Sequence, residues 1–308
     1  MSNAKTLDQF FTNAENVDFC VKLIESICPK NTLWLEPSCG AGAFSLAFKS
    51  VFKSGVSADL EPQMSGAIQA DFLAGKEYKA TLYALLRAAA TPLLTIGNPP
   101  FGSKGRLACQ FINEAAEFSD VIAFILPISF RKYSTQSKVT DGLKLVMDLD
   151  LPSNIFLVDG KPSIVNCCFQ IWVPHKTKIR KLKNLPDLRI SSKPADNHPD
   201  FTIWQYNNTP SAQKFLEGDF DFAVCKQGYC DYSARKLRGE KLDPRKHWMF
   251  FKAKNNKSLK RLMKLDFESL SKASHTTTPG FSKHDVVTLY TSQYGDCLLE
   301  RAKQETEL

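Results

Sequence analysis

Thr32-Leu33-Trp34-Leu35-Glu36-Pro37-Ser38-Cys39-Gly40-Ala41-Gly42 is the stretch on which the reading of this chain turns. Residues 32–35 predict a short apolar strand that runs into Glu36 and a glycine-rich turn. Residues 44–48 begin a helix. Gly40 and Gly42 let the backbone approach a ligand closely, and the first amides of the helix point toward it. Strand, acid, Gly-x-Gly and helix form a cofactor-binding arrangement. Ser45 stands where the GxGxxG pattern has its third glycine, which argues against a dinucleotide and for another nucleoside cofactor.

The same alternation continues on both sides of this stretch. Residues 17–27 read as a helix, with Val17, Cys20, Val21, Ile24 and Ile27 on one face. Residues 55–58 form a strand ending at Asp59, residues 93–96 one ending at Gly97-Asn98, and residues 121–126 a buried strand closed by Pro127. Residues 108–118 are helical. This pattern predicts a parallel α/β sheet. Residues 155–158 and 168–173 predict the two arms of a hairpin around Asp159-Gly160-Lys161-Pro162. Asp59, with Leu60 behind it, is placed to accept both ribose hydroxyls of a cofactor; it reads equally as a helix cap before Pro62. Asp71-Phe72 offers an acceptor for an adenine amine and a ring to pack on it, or an ordinary loop acid.

Asn98-Pro99-Pro100-Phe101 carries the most specific chemistry. Two prolines at a strand end cannot donate to a ladder, so they end the strand and stiffen the loop. That fixes two acceptors, the Asn98 side-chain oxygen and the Pro99 carbonyl. Both suit the hydrogens of a planar NH2 group. Accepting those bonds localises the nitrogen lone pair, so the nitrogen is able to attack an activated methyl in line. Phe101 offers a face for a base to stack on.

These residues resemble the amino-methyltransferases of the class I methyltransferase fold, over roughly residues 8–174. Gln9-Phe10-Phe11-Thr12 resembles that family's aromatic-Thr motif at the methionine end of the cofactor, although Asn13 stands where many relatives carry proline. Glu36, Pro37, Ser38, Gly40 and Gly42 resemble its glycine-rich motif. Asp59-Leu60 matches the ribose-binding acid, Asp71-Phe72 the adenine-binding pair, and residues 98–101 the catalytic loop. Phe124-Ile125-Leu126-Pro127 looks like the strand and turn after that loop, and residues 165–172 like a hairpin that walls the target pocket. The motif order resembles the gamma arrangement of adenine-N6 DNA methyltransferases. The resemblance implies a Rossmann-like fold, a seven-stranded and mostly parallel sheet with helices on both faces. It implies S-adenosyl-L-methionine as cofactor and neither a metal nor a covalent enzyme intermediate. The five histidines all follow the catalytic half and are expected to be surface or structural.

Charge divides the chain. Of 40 Lys+Arg and 32 Asp+Glu, residues 1–174 hold 15 and 16, so the whole net charge of +8 arises after them. Such an excess suits a partner with a phosphate backbone. The expected division is a catalytic domain over residues 1–175 and a smaller basic α+β module for target recognition over residues 176–308. Strands are expected at 221–225 and 248–253 and a helix at 258–270. Lys104, Arg131, Lys132, Arg235, Lys236 and Arg238 are candidates for phosphate contact. Tyr229, Tyr232, Trp248, Phe250 and Phe251 interleave with the basic runs, and Phe250 reads best as core. DNA is favoured over RNA as the partner. The alternatives are an RNA adenine-N6 or guanine-N2 enzyme, a protein glutamine methyltransferase, and an inactive nucleic-acid-binding relative. Nine cysteines without a CxxC pair read as reduced, mostly buried thiols, with Cys225, Cys230 and His247 the only loose zinc candidates. No stretch suits a membrane span and the first residues lack a signal-peptide core, so a cytoplasmic monomer is expected, or one inside a host cell if the source is viral.

Overall fold

The computed structural model describes residues 11–52, 54–74, 91–158, 161–190, 196–209, 216, 218–274 and 278–294. Gln9, Phe10, Asp159, Gly160 and His275 lie outside these. The chain divides into two compact units, Met1–Lys193 and Pro194–Leu308. Among the described residues no helix is long and apolar enough to cross a membrane.

The first unit runs α1 (Ala14–Ile27), β1 (Leu33–Glu36), α2 (Ala43–Val51), β2 (Gly55–Asp59), β3 (Ile68–Gln69), β4 (Leu93–Gly97), α3 (Arg106–Ala115), β5 (Val121–Pro127) and α4 (Tyr133–Gln136). It continues with β6 (Leu143–Asp150), β7 (Ile155–Val158), β8 (Lys161–Ile164), β9 (Cys167–Pro174) and α5 (Arg180–Lys183). Seven strands form one Rossmann-like sheet in the order β3-β2-β1-β4-β5-β9-β6. The pairs from β3 to β5 are parallel, while β9 runs antiparallel to both β5 and β6. Every residue of β5 is buried, as an interior strand covered on both faces requires; hence its unbroken apolar run. Asn13 caps α1 by accepting from Asn16 N at 2.9 Å. After β1 the chain proceeds to β2 on one side, and β4 returns on the other. The loops leaving β1 and β4 therefore diverge, and a crevice opens between them at the carboxyl ends of the strands.

Two expectations are corrected here. The arm at 155–158 does not pair with 168–173. It pairs with its neighbour β8, in the register Ile155↔Ile164, while β9 fills the gap between β5 and β6. The two differ in burial: β9 is buried from Cys167 to Val173, whereas in β7 the buried Phe156 stands between the exposed Ile155 and Leu157. Residues 167–172 thus form sheet interior, while Val165 and Asn166 lie in the link between β8 and β9. The boundary also lies later than 175. Ile179 and Leu182 join the first core, Lys144 Nζ donates to the Lys183 and Leu185 carbonyls at 2.8 and 3.0 Å, and Arg189 donates to the Thr140 and Gln136 carbonyls.

The second unit is α+β. Strands β10 (Phe201–Tyr206), β11 (Phe222–Gln227), β12 (Lys236–Leu237) and β13 (His247–Ala253) form an antiparallel sheet in the order β10-β13-β11-β12. Phe222, Val224, Met249 and Phe251 share one core with residues of α6 (Asn256–Met263), α7 (Phe267–Ala273) and α8 (Lys283–Tyr294). Trp248 and Phe250 enter a second core with Tyr206, Phe220 and Leu242, so Phe250 is core as expected. The single helix expected over 258–270 is broken in two, because the Asp266 side chain caps α7 by accepting from Ser269 N. Among the described residues six cysteines are free and buried, as expected. Cys225 and Cys230 are instead joined in a disulfide, since a bulge after Cys225 and a left-handed Gly228 (φ 97°) turn the chain back on itself. Among the described residues no group of His, Cys, Asp or Glu is placed to hold a metal ion.

Candidate active site

The crevice is a cavity of about 730 Å³. Phe11, Thr12, Glu36, Pro37, Ser38, Gly40, Asp59, Leu60, Asp71, Phe72, Asn98 and Pro100 all line it. Residues from five separate segments of the sequence are thereby brought together. Gly42, Pro99 and Phe101 are not in its wall. Sequence reasoning missed Phe44, Ser103, Leu107 and Phe111, which are also part of the lining; of these only Phe111 lies in the helix expected over residues 108–118.

The glycine-rich turn is held from β2. Asp59 accepts from Gly40 N at 2.7 Å through one carboxylate oxygen and from Glu61 N at 2.9 Å through the other. A carboxylate has about four acceptor positions, so two remain for ligand hydroxyls. Gly42 begins α2 in the left-handed region (φ 83°), with Met64 packed against it. Its contribution is the turn itself. Asp71 Oδ1 accepts from Leu73 N (2.9 Å) and Ala74 N (3.3 Å), an Asx turn at the rim. Phe72 is buried and stacks on Phe111 at 5.0 Å, and the pair makes an apolar floor.

Glu36 lies beneath the turn and is buried. Its Oε2 accepts from Ser45 N at 2.8 Å and from the Ser45 hydroxyl, which in turn meets Ser57 Oγ at 2.6 Å. Ser45, the departure from the third glycine, thus ties the acid to the start of α2. Burial pushes the Glu36 carboxyl up to about 8, aided by the Asp59 charge and opposed by the Ser45 bonds. The folded state therefore keeps a proton on Glu36 that the unfolded chain releases near 4.5. The stability this supplies is full below about 4.5, falls as the pH rises towards about 8, and is level above that. Glu36→Gln keeps the shape without the titration. The melting-temperature difference between variant and wild type is expected to shift steadily in the variant's favour across that window. A difference independent of pH would show that Glu36 ionises normally.

Strand β4 ends at Gly97 beside the Glu36 side chain, and Asn98 follows. Asn98 Nδ2 donates to Thr12 Oγ1 at 3.2 Å, and Ser38 Oγ donates to the Asn98 carbonyl at 3.4 Å. With Nδ2 donating to Thr12, the other end of the amide, Oδ1, is the acceptor end. Phe101 departs from expectation. Its ring is buried in the core, and its carbonyl accepts from Leu107 N (3.1 Å) and Ala108 N (3.3 Å) at the start of α3. The left-handed Gly102 (φ 66°), packed against Leu107, turns the loop so that Phe101 faces inward. The aromatic surfaces that reach the cavity are Phe11, Phe44, Phe72 and Phe111.

The candidate phosphate-binding cations have different surroundings. Lys104 is exposed on the loop after Asn98, in the left-handed region (φ 54°). Arg131 is clamped by Asp148 at 2.8 Å and Asp150 at 2.7 Å; Lys132 follows it in the same turn. In the second unit Arg235 donates to the Tyr232, Ser233 and Leu265 carbonyls and lies 4.6 Å over the Phe267 ring, which makes it a structural pin. Lys236 pairs with Glu240 and Arg238 with Asp219.

No protein-family model and no curated protein matches the chain. Among solved structures it is similar to the M protein of the type I restriction enzyme EcoKI (TM-score 0.41, 14% identity, 58% of this chain and 46% of that one). It is also similar to the 23S rRNA methyltransferase ErmE (0.38, 12%, 55% and 70%). A third is a candidate RNA methyltransferase from Pyrococcus horikoshii (0.37, 16%, 55% and 88%). The chain spans under half the length of the EcoKI protein, and at these identities the likeness is one of fold alone.

Proposed function

We propose that this chain transfers a methyl group from S-adenosyl-L-methionine to an exocyclic amine of a nucleobase, in the first place the N6 amine of adenine in DNA. One observation carries this reading: the glycine-rich turn and Asn98 face a single cavity, with the Asn98 amide held by Thr12. The residues present fit the cofactor. Asp59 retains acceptor positions for ribose hydroxyls, Phe72 offers a face for adenine, and the volume is that of a small-molecule site. Bound there, S-adenosyl-L-methionine supplies an electrophilic methyl group. The chain's own part is positioning and electrostatics. Asn98 Oδ1 accepts an N–H bond of the target amine and holds its lone pair in line with that methyl, while Pro99, expected as the second acceptor, is not in the cavity wall. On methylation the amine nitrogen would release one proton to solvent.

The positive charge after residue 174 supports a nucleic acid over a protein amide as substrate: residues 175–193, at the end of the first unit, hold 7 Lys+Arg against 1 Asp+Glu, and the second unit, proposed as the recognition module, holds 18 against 15. The reaction belongs in the cytoplasm, or inside a host cell for a viral enzyme, and needs one copy of the chain. Transfer of labelled methyl to duplex DNA, single-stranded DNA and structured RNA, followed by nucleoside analysis, tests the reading. N6-methyldeoxyadenosine is expected. N6-methyladenosine or N2-methylguanosine would move the substrate to RNA, and no label in any nucleic acid would refute the proposal. Asp59→Ala is expected to weaken S-adenosylhomocysteine binding about 10- to 100-fold by calorimetry, the range for hydrogen bonds to a charged group. An unchanged affinity would remove Asp59 from the cofactor site.

A further inference from the structure

The β7–β8 hairpin has one buried face and one exposed face. Phe156 is fully buried, while Ile155, Leu157 and Ile164 are 48%, 39% and 73% exposed. The register pairs Ile155 with Ile164 and Leu157 with Pro162, so all four side chains lie on the exposed face. A third segment joins this sheet: Phe11 N donates to the Leu157 carbonyl and Leu157 N to the Phe11 carbonyl, both at 3.0 Å. Residues directly opposite in an antiparallel pair point to the same side. Leu157 therefore shares a face with Phe11, whose ring lies over Gly40 and lines the cavity. The apolar strip is a continuation of the cavity wall. It is also firmly rooted, since Asn13 Nδ2 donates to the Ile155 carbonyl at 2.8 Å and Asn16 exchanges two bonds with the Ser153 backbone.

We propose that Ile155, Leu157, Pro162 and Ile164 form a platform for the nucleobase next to the one that enters the cavity, an assignment that rests on the nucleic-acid reading above. Size decides the occupant. Two strands wide and two side chains long, the strip measures about 5 by 7 Å, the dimensions of a base face. A stable protein interface needs about 800 Å² on each partner, which this strip falls far short of. Aliphatic side chains of this kind pack on base faces without reading sequence.

The test uses the full chain and a fluorescein-labelled single-stranded DNA oligonucleotide carrying one adenine, with its RNA counterpart. Ile155→Thr, Leu157→Thr and Ile164→Thr are combined, and Ile164→Thr alone serves as the milder variant; all three sites are exposed and threonine suits a strand. Loss of one packed base face is expected to weaken oligonucleotide binding about tenfold in the triple variant, with S-adenosylhomocysteine affinity and melting temperature unchanged. An abasic site beside the adenine should weaken wild-type binding equally and leave the variant's binding where it was. Unchanged oligonucleotide binding by the variants, or losses that simply add, would overturn the platform while leaving methyl transfer intact. A wild-type dimer that the triple variant dissociates would make the strip an interface between copies and also overturn it. Absence of methyl transfer by the wild type to any nucleic acid would overturn both readings together.

Discussion

Asn98→Ala is expected to lower single-turnover methyl transfer by about 10²- to 10³-fold or more, while S-adenosylhomocysteine binds within about twofold of wild type. The carboxamide oxygen would act on the amine mainly as its lone pair develops towards the methyl, so its loss falls on the chemical step. The Asn98 backbone remains, and with it the carbonyl that Ser38 Oγ donates to at 3.4 Å. The part of the cavity proposed to hold the cofactor, lined by Gly40, Asp59 and Phe72, is untouched. Thr12→Val separates orientation from chemistry. It removes the acceptor that holds Asn98 Nδ2 at 3.2 Å, so the amide is free to turn its nitrogen to the substrate. A smaller fall, about tenfold, is expected there because the productive orientation is still one of two. Full activity in Asn98→Ala would remove the loop from the chemistry, and with it the proposed function. Equal, complete loss of cofactor binding in both variants would mean that the segment is structural.

Gly55→Ala is expected to destabilise the first unit by about 3 kcal/mol or more, which lowers its melting temperature by about 6–12 °C. Gly55 pairs directly with Trp34 across β1 and β2, and the indole lies over it. A methyl group at Gly55 would meet Trp34 ring atoms at 1.9, 2.0 and 2.4 Å. Trp34 is only 2% exposed and packs on Phe48, so the ring has nowhere to move without disturbing α2. Trp34 stands two residues before Glu36, so strain there reaches the base of the cavity. Thermal melting with intrinsic fluorescence reads both the stability and the displaced indole. Combining Gly55→Ala with Trp34→Leu should cost less than the two changes summed, because the clash is absent from the double variant. A melting temperature unchanged by Gly55→Ala would show that the strand pair gives way easily.

Much of the site was legible in the sequence because it is built from local backbone features. A strand ending at a glycine-rich turn and a strand ending in two prolines are visible as runs of a few residues. Parallel strands then bring their carboxyl ends together as a matter of topology. The stacking role expected of Phe101 rests on its aromatic ring and its place after the two prolines, whereas its direction depends on the left-handed Gly102 and on the bonds its carbonyl accepts from α3. The basic residues of the second unit were read from charge alone. Charge does not say that Asp219, Glu240 and the Leu265 carbonyl stand beside Arg238, Lys236 and Arg235. The hairpin arms were chosen by apolar content, and the stronger apolar strand went to the place with more burial to offer.

By itself the sequence determined the alternation of strands and helices, the two turns that flank the crevice and the concentration of positive charge after residue 174. These follow from periodicity, glycine and proline backbone limits and composition, all of which act over a few residues. The tertiary structure alone decided the rest. It put Phe11 beside Leu157 and so joined an exposed hairpin to the cavity wall, turned Phe101 inward, linked Cys225 to Cys230 and laid Trp34 over Gly55. Each of these depends on how one segment packs against another, and close packing lets only one neighbour occupy each place.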